Sequence, residues 1–178
     1  HKEYRRQRQM CIRDSCTVHQ DEDPGFYEII SKKIDALIQQ HQNDWDLLVK
    51  KLAKLRQQVL AGRQTDNNGL SEEAAIFYDY IVKLGFIEKV SDNDTNKALL
   101  KTLLETTVAI LQKHIVSIDF WQNPDKQKHV RSLLKTEITK TGIEQLKANR
   151  ERVTVELMKL AQNRHSQLSS RRATVEVC

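Results

Sequence analysis

The chain has 178 residues, 39% of them hydrophobic and 30% charged, with only 5 Gly, 2 Pro and 3 Cys. That is enough material for one domain whose core needs neither disulfide nor metal, and too little turn chemistry for a many-stranded sheet, so an all-α fold is expected. The formal charge is +5, but residues 1–16 carry +3 of it (Lys2, Arg5, Arg6, Arg8 and Arg13 against Glu3 and Asp14); the remaining +2 is no signature of a nucleic-acid partner.

Helical spacing begins at Pro24, with Asp23 as cap, and sets Phe26, Ile29, Ile30, Ile34, Leu37 and Ile38 on one face. A second run, opening after Asn43 or Asp44, carries Trp45, Leu48, Val49, Leu52, Leu55 and Val59 and stops before Gly62. Thr65-Asp66-Asn67-Asn68-Gly69 reads as a loop. Ser71 then caps a third helix that turns Phe77, Tyr80, Ile81 and Leu84 inward, holds Glu72 and Glu73 in its first turn and ends at Gly85. After a break at residues 91–95, Leu99, Leu100, Leu103, Leu104, Thr107, Val108, Leu111 and Ile115 give a long helix with a wide apolar face, the candidate for the centre of the core.

Ser117-Ile118-Asp119-Phe120-Trp121-Gln122-Asn123-Pro124 forms an aromatic corner between two such runs. Asn123 is suited to cap the next helix and Pro124 to its first position, where a missing N–H costs nothing. Asp119, Phe120, Trp121 and Pro124 are therefore structural candidates, with both rings expected to bury themselves at the junction. Val130, Leu133, Leu134 and Ile138 define a fifth helix that ends at Gly142. In the sixth, Ile143, Leu146, Arg150, Val153, Leu157 and Leu160 recur at alternating steps of 3 and 4, a heptad seam too short for a long coiled coil and interrupted by Arg150, so packing on the body of the domain is expected. Ile143, Leu146, Val153, Leu157 and Leu160 are the candidate partner-binding residues, to the extent that the body of the domain leaves that seam uncovered. The expected organisation is a single domain of about six helices over residues 17–168, a non-native or disordered head at 1–16 and a frayed tail at 169–178.

Catalytic signatures are missing from the sequence. The five glycines are followed by Phe26, Arg63, Leu70, Phe86 and Ile143, so no Gly-Lys pair exists for a phosphate loop, and no Asp-x-Lys or Glu-x-Lys pair exists for a metal-dependent nuclease. Cys11, Cys16 and His19, with His1 or His41, lack the spacing of a structural zinc site. His41, His114, His129 and His165 are scattered and read as surface or boundary residues. Basic residues cluster at Lys50 to Arg56, Lys126 to Arg131 and Lys147 to Arg152, with Arg164, Arg171 and Arg172 beyond. Interleaved acids and the lack of an aromatic among them favour a solvated face over a phosphate-binding one. No catalytic, cofactor-binding or metal-ligating residue is assigned. With one cysteine outside the head and no apolar run of membrane-spanning length, a cytoplasmic, non-membrane setting is expected.

Two stretches carry resemblances. Gln9-Met10-Cys11-Ile12-Arg13-Asp14-Ser15 resembles translated sequencing-adapter sequence, which implies that residues 1–16 are foreign to the natural protein. Asp23-Pro24-Gly25-Phe26-Tyr27, Gly69 to Asp79, Ser117 to Trp121 with Val130 to Lys135, and Leu157 to Ala161, taken in order, resemble the C-terminal helical region of the restriction (R) subunit of type I restriction-modification enzymes. The resemblance implies a fragment whose nuclease and ATP-driven helicase domains lie N-terminal to it. Its role would be to hold that subunit to the methyltransferase and specificity subunits, with ATP and magnesium serving the parent enzyme and DNA met through the parent complex. The alternative from another class is a free-standing helical nucleic-acid-binding protein.

Overall fold

A computed structural model describes residues 20–41, 44–61, 69–87 and 94–170, together with Met10 and Asp14. Every regular element among the described residues is helical, as expected: α1 (Pro24–Gln40), α2 (Trp45–Ala61), α3 (Glu72–Lys83), α4 (Asp94–His114), α5 (Pro124–Lys140), α6 (Glu144–Ala148), α7 (Arg150–Asn163) and α8 (His165–Ser170), with a 3-10 turn at Phe120–Gln122. Where the sequence reads as one domain over 17–168, the chain divides into two compact units, residues 1–66 and 67–178.

In the first unit α1 packs on α2. The Asp23 carboxylate accepts the Phe26 N–H at 3.1 Å, and Pro24 follows it at the helix start, so the cap read from sequence is present. Ile30 and Ile34 meet Leu48, Leu52, Leu55 and Val59, with Phe26, Tyr27, Leu37 and Ile38 around them. Ile29, expected on the inner face, is exposed. A single packed helix covers only a narrow stripe, and Ile29 lies one residue, about 100°, away from Ile30 on the helix.

The second unit holds the larger core. Within it α4 packs on α3, α5 and α8, while α5 packs on α4, α6 and α7, so α4 shares the centre with α5. Leu100, Leu103, Leu104, Val108 and Leu111 from α4, and Ile115 just after it, meet Val130, Leu134 and Ile138 from α5 and Val153, Leu157, Met158 and Leu160 from α7. Leu84 and Leu99, expected inward, are exposed at the rim. The Ser71 hydroxyl accepts the Ala74 N–H at 3.3 Å, and Asn123 accepts from Asp125 and Lys126 at 3.1 and 3.2 Å, as their positions require. Gly85 and Gly142, at φ +72° and +70°, end α3 and α5 in the left-handed region that glycine enters without a Cβ penalty.

The sixth helix of the sequence reading is broken into α6 and α7, and a further short helix, α8, follows it and runs into the tail expected to fray at 169–178, which brings the number among the described residues to eight. Asn149 leaves helical geometry at φ −102°, ψ 15°, and its side-chain amide donates to the Gln145 carbonyl at 3.0 Å, a local bond that competes with the helix ladder. A second break falls at Arg164, φ −101°, ψ 17°.

Candidate docking surface

The heptad seam is core rather than surface, which corrects its assignment as a partner-binding face. Leu146, Val153, Leu157 and Leu160 are buried, and Ile143 is half-buried against the same cluster. The stripe is covered by its own domain: α5 and α3 pack on α7, and Lys135 of α5 reaches across to Glu151 of α7 at 2.5 Å. That contact lowers the pKa of the Glu151 carboxyl, first through the Lys135 hydrogen bond.

One cation counted in a basic run is no part of any surface. Arg164 is buried, and its Nε and one terminal nitrogen donate to the two carboxylate oxygens of buried Glu73, each at 3.0 Å. This two-point contact ties the break between α7 and α8 to the first turn of α3. Glu73 is two residues past the Ser71 cap but is buried in the core; sequence position alone marks it only as a favourable first-turn acid. Nearby, the Ser71 N–H and hydroxyl donate to Glu105 of α4 at 2.6 and 2.9 Å, and the Tyr80 hydroxyl donates to Glu156 at 2.6 Å.

The corner residues come together as a unit. Phe120 is fully buried. Trp121 is only half-buried, set edge-on to Phe120 at 4.8 Å between ring centres and to His165 at 6.2 Å, so the expectation that both rings bury holds in full for Phe120 alone. The side-chain amide of Gln127 donates to the carbonyls of Phe120 and Trp121, at 3.2 and 2.9 Å, fixing the turn to α5. Asp119 is exposed and accepts from Ser117 and from the Lys126 ammonium, the latter at 2.6 Å. The Lys126 hydrogen bond, then that of Ser117, holds its carboxyl well below the usual carboxylate range. Pro124 is exposed at the start of α5.

Beside the corner lies an open cleft of about 450 Å³ lined by Lys113, His114, Ser117, Phe120, Asp125, Lys126 and His129. His114, in the last turn of α4, and His129, in α5, stand edge-to-face with ring centres 5.6 Å apart. Burial, then His129 and then Lys113, lower the pKa of His114, favouring its neutral form. The sequence reading scattered these histidines because they are 15 residues apart. The available signal was their position on either side of a turn, which a helical hairpin folds together. Val116 and Ile118 flank Ser117 and are exposed, Ile118 completely.

A smaller groove of about 280 Å³ runs between Leu84, Phe86 and α7, where Arg152 sits over the Phe86 ring at 5.5 Å and Val155 is 55% exposed. Among the described residues no group of three or more His, Cys, Asp or Glu side chains is placed to hold a metal ion, and no helix is long and apolar enough to cross a membrane. Cys11, Cys16, His19, Arg171 and Arg172 lie outside the described residues, as does the loop at 65–68. Compared with known proteins, the chain matches no family model, no curated protein and no solved structure.

Proposed function

We propose that this chain is a non-catalytic helical docking region of a type I restriction R subunit, holding that subunit to its methyltransferase and specificity partners. One observation carries the reading: the phrases that resemble that family, apart from Asp23 to Tyr27 at the start of α1, supply cap, corner and core residues of the second unit. Gly69 to Asp79 supplies the Ser71 cap, the buried Glu73 and the core residues Ala74, Ile76 and Phe77. Ser117 to Trp121 forms the corner, Val130 and Leu134 bind α5 to the core, and Leu157, Met158, Leu160 and Ala161 lie on the buried face of α7. Residues used in this way specify a shape for a partner to bind, and none is assigned a chemical step. ATP and magnesium belong to the parent enzyme's motor and nuclease regions, and DNA is engaged through the parent complex.

The reading is tested by mixing the full chain with a purified type I methyltransferase–specificity complex and following co-elution on a sizing column. Stable co-elution without ATP hydrolysis by the chain alone is expected. Turnover of ATP or cleavage of DNA by clean protein, or failure to associate with the complex, would contradict it.

A further inference from the structure

The docking reading leaves open which surface meets the partner, and the heptad seam is excluded because its own domain covers it. An interface needs an apolar contact that a partner can desolvate and polar groups around it that set orientation. The corner after α4 supplies both. Val116 and Ile118 are exposed in the turn between α4 and the 3-10 turn, where no neighbouring helix covers Ile118. Ser117, between them, lines the cleft whose cations are Lys113 and Lys126 and whose histidines are His114 and His129. Lys113, in the last turn of α4, is exposed at the edge of that cleft.

We propose that this corner, the cleft of Lys113, His114, Lys126 and His129 together with exposed Val116 and Ile118, is the docking surface for an acidic protein segment that carries an apolar side chain. The proposal deepens the docking reading and rests on it. Charge decides the sign of the partner: Lys126 is already paired with Asp119 at 2.6 Å, whereas Lys113 lines the cleft, exposed and with no ion pair among the described residues, so a carboxylate is what the cleft can take. The apolar tip decides its class. A nucleic-acid backbone has nothing apolar to set against Ile118, and base stacking needs an open aromatic face, whereas Phe120 is fully buried and Trp121 half-buried between Phe120 and His165. A protein segment with an acidic residue beside a Leu, Ile or Phe satisfies the cleft and the tip at once.

The test uses the full chain and a purified type I methyltransferase–specificity complex, with affinity read by interferometry. Ile118→Asp and Lys113→Glu are the test variants, and the double variant Lys147→Gln with Arg152→Gln on α6 and α7 is the control. Each is checked by its thermal melt, which surface changes at these positions leave near wild type. The expected result is a loss of about tenfold or more for each test variant and less than about twofold for the control. Wild-type affinity in both test variants overturns this surface and leaves the docking reading standing. No binding by the wild-type chain overturns both. Binding to a DNA duplex that is strongly salt-dependent, lost in Lys113→Glu and indifferent to Ile118→Asp, overturns the surface in favour of a nucleic-acid contact.

Discussion

Leu157 on α7 and Ile118 in the turn before Phe120 are both large aliphatic residues, yet the first is 1% exposed and the second completely so. Leu157 belongs to a run whose apolar positions recur every 3 or 4 residues, and a run of that kind is covered by whichever helices share its domain, here α3 and α5. Ile118 belongs to no period. It stands in a turn set by hydrogen bonds of Ser117, Asp119 and Lys126, all polar, and nothing in its own unit closes over it. The contrast separates two meanings of an apolar residue in a helical protein: those at the centre of a periodic stripe assemble the fold, and on the proposed surface an aperiodic one is left for a partner.

That contrast can be broken first at its most buried point. Arg164→Ala leaves the Glu73 carboxylate buried without its two-point contact and should cost about 3–5 kcal/mol in urea unfolding. A loss under about 1 kcal/mol would mean that water reaches Glu73 and that the pair is no core element. Next, Leu157→Ala should cost about 2–5 kcal/mol, while Ile118→Ala should stay within about 0.5 kcal/mol of wild type. Equal effects at the two sites would erase the distinction between them.

Within the corner the same logic ranks the two rings. Phe120→Ala should cost about 3–5 kcal/mol, and Trp121→Ala, from a half-buried position, on the order of 1–3 kcal/mol. A larger loss at Trp121 than at Phe120 would show that the indole is the plug. The smallest effect is a pH dependence. Folding lowers the pKa of His114 below its ordinary 6.5, so the unfolded chain takes up that proton first. Its contribution to stability is complete above pH 6.5 and is lost as pH falls through 6.5 toward the folded value. His114→Gln should therefore flatten the loss of stability on moving from pH 7.5 to 5.5, and an unchanged slope would show that His114 is solvated as in the unfolded chain.

Much of the fold was legible because caps and periods are local. Asp23, Ser71, Asn123, Pro124, Gly85 and Gly142 each do what their position next to an apolar run implies. The split of the last helix was not legible, since Asn149 is tolerated inside helices and only its bond to Gln145 reveals the break. Long-range pairing was hidden for the same reason: Glu73 and Arg164 are 91 residues apart, and nothing in either neighbourhood names the other. At the candidate surface the sequence marked the corner and the Lys126 to Arg131 run, but not that His114 and Lys113 share their cleft. For the apolar seam of α6 and α7 it left packing on the domain and partner binding side by side, because a period reports that a face is apolar and not what covers it.

Amide hydrogen exchange on the full chain, with and without a type I methyltransferase–specificity complex, tests the central claim most directly. In the free chain, amides of α7 between Val153 and Leu160 should exchange slowly, while those at 116–119 should exchange fast. On adding the complex, new protection should appear across residues 113–131 and leave 153–160 unchanged. Protection gained at 153–160, with 113–131 exchanging as before, would show that the partner binds the seam and that the corner is bystander surface.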